Sequence, residues 1–180
     1  IVERRAELLE KGGIKFELNC EIGRDITFDG LRERHNAVLI ATGVYKARDI
    51  KVPGIGLQGV VPALDYLTAS NRKSLGDDVA EFDSGMLNAE GKNVVVIGGG
   101  DTAMDCVRTA IRQEAKSVTC LYRRDRANMP GSQREVENAE EEGVNFQWLS
   151  APHALLGDET VSAVRARRIH LGQPDETGRQ

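Results

Sequence analysis

A chain of 180 residues, 40% hydrophobic and 29% charged with a formal net charge of -4, has room for one sizeable core, or for one domain and part of another. That balance gives no basic field for nucleic acid. No apolar run approaches the ~20 residues that cross a bilayer and no cleavable leader opens the chain, so neither nucleic acid nor membrane is an expected partner and a cytoplasmic setting is expected.

The chain opens at Ile1 without a methionine and closes in the polar string Gln173 to Gln180, which reads as a piece excised from something longer. Val2 to Glu10 carries apolar residues among charges and is stopped by Gly12-Gly13, the pattern of a helix and its C-terminal glycine. Ile14 to Leu18 alternates apolar and polar as a half-buried strand does, and the dipeptide Asp29-Gly30 within Asp25 to His35 suggests a hairpin turn. Ala37 to Ala41 is apolar throughout, the mark of a strand covered on both faces, and runs into Thr42-Gly43. The segment from Lys46 to Gly59 holds Pro53, Gly54, Gly56 and Gly59 without periodicity and reads as a linker. A boundary there divides the chain into 1–45 and 46–180. Ala63 to Ala69 predicts a short helix, and the polar stretch Asn71 to Gly91 a surface excursion.

Beyond that point Asn93–Ile97, Ser117–Tyr122 and Val144–Leu149 are strand-like runs separated by helical patterns, an alternation that predicts a parallel sheet. Thr102–Arg112 places Ala103, Val107, Ala110 and Ile111 on one helical face, and Ser132–Glu142 supplies a second helix stopped by Gly143. Val161 to Ile169 reads as a last strand with poorly distinguished faces.

One constellation carries chemistry. Val94-Val95-Val96-Ile97 leads into Gly98-Gly99-Gly100-Asp101-Thr102-Ala103, in the order strand, glycine turn, helix, with the G-x-G-x-x-A spacing of a dinucleotide-binding turn. Gly98 lets the chain turn sharply, Gly100 leaves room for a pyrophosphate, and Ala103 lets the helix lie close to the strand. A diphosphate then meets the free N–H groups and positive dipole end of the helix. The competing reading is a plain structural turn, and the strand and helix on either side weigh against it. Asp101 fits beside an anion best as a helix cap that accepts backbone N–H groups. At the end of the next strand stand Arg123 and Arg124 in place of the acidic residue that binds a ribose 2′-hydroxyl. Guanidiniums match a 2′-phosphate bidentately, so NADP(H) is the expected cofactor. The bland alternative makes Arg123, Arg124 and Arg126 a solvated corner partnered by Asp125. The three cysteines, Cys20, Cys106 and Cys120, form no CxxC pair and read as core thiols, and the three histidines show no metal-ligand spacing.

The runs VVVIGGGDTAMDCVRTA and VTCLYRRDRANMPGSQREVENAEEEGVNF closely resemble the small (β) subunit of bacterial NADPH-dependent glutamate synthase. NAVLIATGVYKARDIKVPG resembles the place where the FAD-binding half of such flavoenzymes crosses to the NADPH domain. The resemblance implies an α/β fold: a Rossmann-like NADP(H)-binding domain with a parallel sheet and flanking helices, preceded by part of an FAD domain. It implies that Gly98, Gly99, Gly100, Asp101 and Thr102 surround the pyrophosphate and that Arg123 and Arg124 meet the 2′-phosphate. Glu135 would lie near the nucleotide, and Ala41-Thr42-Gly43 would be the junction element. NADPH would pass a hydride to FAD, and electrons would leave through 4Fe-4S clusters to a large (α) subunit that makes glutamate from glutamine and 2-oxoglutarate. This sequence has no second glycine turn for the flavin and no cysteine clusters for iron–sulfur centres, so binding without turnover is expected, and no catalytic acid, base or nucleophile is assigned. Dihydropyrimidine dehydrogenase-like and ferredoxin-linked reductases carry related modules, and a non-catalytic nucleotide-sensing module is a further alternative. Apolar surface on 1–45 would favour self-association into a homodimer.

Overall fold

The computed structural model describes residues 2–43 and 50–173. The chain divides into two compact units, Ile1–Val44 and Tyr45–Gln180. Among the described residues no helix is long and apolar enough to cross a membrane.

The first unit holds α1 (Val2–Lys11) and α2 (Phe28–Arg34). Here the chain departs from its sequence pattern in three places. Ile14 to Leu18 is not a strand, because an alternating run needs a partner for its backbone groups and no neighbouring strand lies among the described residues of this unit. Asp29-Gly30 is no hairpin turn but the start of α2: the Thr27 hydroxyl accepts the Gly30 N–H at 3.1 Å and Asp29 sits in the first turn. N-cap chemistry and the helix dipole outweigh the local turn signal. Ala37 to Ala41 is not a doubly covered strand either, since Leu39 is 90% and Ile40 68% exposed; an apolar strand is buried only where other strands flank it.

The second unit is built on a three-stranded parallel sheet. Its elements are α3 (Ala63–Ser74), α4 (Ala80–Asp83), β1 (Asn93–Ile97), α5 (Asp101–Arg112), β2 (Ser117–Leu121), α6 (Gln133–Glu141), β3 (Asn145–Gln147), β4 (Ser150–Leu156) and β5 (Ala163–Arg168). The sheet order is β1-β2-β3, with Asn93 opposite Ser117 and Ile97 opposite Leu121. The expected α/β fold with its parallel sheet is what forms. The core lies where α5 and α6 meet β2: Met104, Val107 and Ala110 from α5, Val118 and Cys120 from β2, and Val136 and Ala139 from α6 are all buried. The face expected on α5 is thus the inward one, widened by Met104 and Cys106.

The expected short helix at Ala63 to Ala69 runs on to Ser74 as α3. The stretch from Asn71 to Gly91 is not a simple surface excursion, for it includes the end of α3 and all of α4, and anchors itself through buried Val79 and Ala89. Gln113, just past α5, holds it in place. Its amide oxygen accepts both the Tyr66 hydroxyl and the Ala89 N–H at 2.9 Å, while its amide nitrogen donates to Ser70 Oγ at 2.9 Å. Polar residues that read as solvated in one dimension thus satisfy one another across α3 and α5.

β4 and β5 form an antiparallel ribbon. The end of the chain's pattern, Val161 to Ile169, delivers β5, whereas β4 has no clear sequence signal because Pro152 interrupts it at an irregularity in the ladder. The stretch read as a linker is fastened to this ribbon over its described part: Leu155 N donates to Pro53 O at 2.9 Å and Val161 N to Gln58 O at 2.9 Å. Gly54 is required there, because a Cβ would lie 2.1 Å from the Leu155 carbonyl oxygen and the backbone φ is +83°.

Candidate dinucleotide site at the end of the parallel sheet

Parallel strands in register deliver their carboxyl ends together. Since Ile97 lies opposite Leu121, the glycine turn leaving β1 and the arginine pair leaving β2 emerge side by side at the carboxyl end of the sheet, where doubly wound folds place ligands. The junction is tied directly: Gly98 N donates to Leu121 O at 3.2 Å and the Cys120 thiol to Gly98 O at 3.3 Å.

Each glycine of the turn has its own reason. Gly98 takes φ +153°, in the region glycine tolerates, with Ala103 Cβ 3.5 Å from where its own Cβ would be. Gly99 is buried under the Tyr122 ring, so that a Cβ there would lie 2.4–2.9 Å from ring carbons. Around Gly100 the corresponding space is open. Gly100 is also the N-cap of α5 and offers no side-chain cap. Among the described residues nothing accepts the N–H groups of Gly100, Asp101 and Thr102. Free amides facing open space at the start of a 12-residue helix fit a diphosphate.

Asp101 does not cap α5. It is the first helical residue, and its Oδ1 instead accepts the Ser132 N–H at 3.0 Å. A carboxylate at that position reaches across to the next element because the chain between β2 and α6 folds over the turn.

Of Arg123, Arg124 and Arg126, only Arg126 is engaged among the described residues: it pairs with Glu140 at 2.9 Å and Glu137 at 3.9 Å on α6. Among the described residues Arg123 and Arg124 have no ion-pair partner, Arg123 being exposed and Arg124 half-buried. Asp125, the neighbour that could neutralise them, spends Oδ1 on the backbone and side-chain nitrogens of Asn128 at 2.9 and 2.8 Å. Two guanidiniums without ion-pair partners among the described residues, next to uncapped amides, are the groups that favour an anion.

Glu135 lies in the first turn of α6 and is ion-paired with Arg108 of α5. Arg108 also donates to Glu142 at 2.7 and 2.9 Å, and Arg112 joins at 3.1 Å. The hydrogen bond from Arg108 holds the Glu142 carboxyl below its ordinary value of 4.5. A carboxyl depressed on folding stabilises the fold above that ordinary value and loses its contribution as pH falls through and below it. Glu142→Gln is therefore expected to lower stability by about 1 kcal/mol at neutral pH, measured by urea denaturation, and the gap to the unaltered protein should close in acid. A gap that persists in acid would place its origin outside the ion pairs.

Ala41, Thr42 and Gly43 belong to the first unit and are exposed. Burial pushes the Cys106 and Cys120 thiols up to about 12, which keeps them protonated and unreactive, in keeping with core thiols; Cys20 is half-buried. Sequence reading overlooked Tyr122, Arg108 and the pair Gly131-Ser132. Of these, only Gly131, a glycine just before a helix, carries a signal in the sequence.

Residues 9–176 match the family described as pyridine nucleotide-disulphide oxidoreductase. The chain belongs to that family. Among relatives, this pyridine nucleotide-disulphide oxidoreductase chain is 65% identical along its whole length to the glutamate synthase [NADPH] small chain of Azospirillum brasilense, of which it spans 37%. It is 36% identical to the NADP(+)-dependent formate dehydrogenase subunit beta of Moorella thermoacetica, spanning 24% of that protein. The structure of FprA from Mycobacterium tuberculosis in complex with NADPH superposes with a TM-score of 0.71 over 99% of this chain and 53% of that one, at 17% identity, a likeness of fold. The chain thus spans about two-fifths of the length of the glutamate synthase relatives it matches.

Proposed function

We propose that this chain is the NADPH-binding, electron-input part of a flavin and iron–sulfur oxidoreductase of the glutamate synthase type, working in the cytoplasm with a large (α) subunit as partner. The observation that carries it is the meeting, at one end of the sheet, of an uncapped helix start and two arginines without acidic partners. In this reading the amides of Gly100, Asp101 and Thr102 hold the diphosphate and Arg123 and Arg124 the ribose 2′-phosphate. Resemblance to the Azospirillum small chain points to glutamate synthesis as the destination of the electrons. Bound, the flavin would accept hydride from the nicotinamide; within these residues one glycine turn serves one dinucleotide, so no step is assigned to flavin or cluster here.

A second reading changes only the acceptor, and the similarity to a formate dehydrogenase subunit favours it: the same module serves reductases of different outlet. Calorimetric titration with NADPH and NADH tests what both share. NADPH should bind with the higher affinity, and absence of binding by either nucleotide would refute the proposal. The outlet is tested by asking whether a large amidotransferase subunit co-purifies with the intact protein.

A further inference from the structure

The connector between β2 and α6 crosses the glycine turn and is fastened to it twice. Gly131 N donates to Gly99 O at 2.9 Å, and one residue on, Ser132 N donates to Asp101 Oδ1 at 3.0 Å. The first contact is tight: a Cβ on Gly131 would lie 3.1 Å from Gly99 O and 3.5 Å from the Gly100 carbonyl carbon, so a side chain there would push on the turn. The connector is itself braced: Asp125 binds Asn128, the Tyr122 hydroxyl donates to Asn128 O at 3.2 Å, and Met129 is buried in the core.

A peptide unit is planar and trans, so the Gly99 carbonyl and the Gly100 N–H point in opposite directions. Glycines on both sides leave that plane free to rotate unless something holds it. Gly131 holds the carbonyl side, which aims the Gly100 N–H away from the connector. We propose that Asp101 is a positioning residue for the dinucleotide: by taking the Ser132 N–H it clamps the connector so that Gly131 fixes the Gly99–Gly100 peptide with its N–H toward the diphosphate. This rests on the proposed NADPH site and explains why a carboxylate is tolerated beside a diphosphate there. Its charge is turned to a backbone donor of the next element, and what the site needs from it is an acceptor.

The discriminating comparison is Asp101→Ala, which removes the acceptor, against Asp101→Asn, which keeps an oxygen acceptor and removes the charge. NADPH and NADH affinities are measured by titration, with amide hydrogen exchange at Gly131 and Ser132 followed in the same proteins. Asp101→Ala should weaken both nucleotides by about tenfold, the scale of one hydrogen bond, leave their ratio unchanged, and speed exchange at both amides. Asp101→Asn should bind at least as tightly as the unaltered protein. The positioning role is overturned if Asp101→Ala binds NADPH normally, if Asp101→Asn is as weak as Asp101→Ala, or if exchange at Gly131 is unchanged. An unaltered protein that binds neither nucleotide overturns the proposed function and this role together, whereas loss of the NADPH over NADH ratio in Asp101→Ala overturns this role alone.

Discussion

Replacing Arg123 and Arg124 together by alanine is expected to weaken NADPH binding by about 2–4 kcal/mol, roughly 30- to 1,000-fold, since each guanidinium contributes a charge-assisted hydrogen bond. NADH, which has no 2′-phosphate, should be affected by tenfold at most. The structure gives the reason for expecting so large an effect. Asp125 and Arg126 are both engaged elsewhere, so neither compensates: Asp125 does not already neutralise the pair, and Arg126 is held by α6. Titration of both nucleotides against the double variant checks this, with circular dichroism to establish that the substitutions leave the fold intact. Equal losses for NADPH and NADH would mean that the pair is a general basic corner and not a reader of the extra phosphate. Salt should act in parallel, weakening NADPH more than NADH, because screening falls hardest on the ligand with more charge.

The second large effect belongs to the glycine turn, where two adjacent glycines should both lose nucleotide binding but differ in stability. Gly99→Ala would place a methyl group 2.4 Å from the Tyr122 ring. That ring is buried, packed edge-on against Trp148 with centroids 6.4 Å apart, and anchored by its hydroxyl on Asn128. It cannot swing away as an exposed side chain would, so the turn itself must move. A destabilisation of about 1–3 kcal/mol is expected from overpacking of this kind, measured by urea denaturation, together with loss of nucleotide binding. Gly100→Ala, in contrast, meets nothing within 4 Å and sits at φ -91°, a backbone any residue adopts. Its stability should change by no more than about 0.5 kcal/mol, yet its methyl group occupies the space where the diphosphate would lie, so NADPH affinity should fall steeply. Both variants equally destabilised, or Gly100→Ala binding NADPH normally, would contradict the arrangement. A Tyr122→Leu background, which removes the planar ring, should recover part of the stability lost in Gly99→Ala, as expected of two residues in direct contact.

How much of this was legible in the sequence depends on how local the cause is. Strand, turn and helix around residues 93–112 were readable because an apolar run, three glycines and a 3.6-residue periodicity are all written within a few residues of one another. The arginine pair was readable for the same reason, standing where a second parallel strand must end. Misreadings arose where a segment answers to something distant. Asp101 has the chemistry of a helix cap, yet its partner is Ser132, 31 residues away, and only the path of the connector brings them together. Glu135 turns to Arg108, and Gln113 gathers Tyr66, Ser70 and Ala89, pairings that no spacing rule anticipates. In the first unit the alternating and apolar runs are real, but a strand's hydrogen bonds lie outside itself, so a pattern without adjacent strands yields exposed chain at Leu39 and Ile40.

The order of groups along the chain, and with it the family and the strand–glycine turn–helix unit, was determined by the sequence alone, because glycine freedom, helix dipole and guanidinium charge act over one or two residues. What holds the Gly99 carbonyl, which of the three neighbouring arginines stay unpaired among the described residues, and why Gly99 admits no side chain were decided only by tertiary structure. Each of those depends on the β2–α6 connector or on Tyr122, groups that become neighbours of the turn only when parallel pairing places the ends of β1 and β2 side by side.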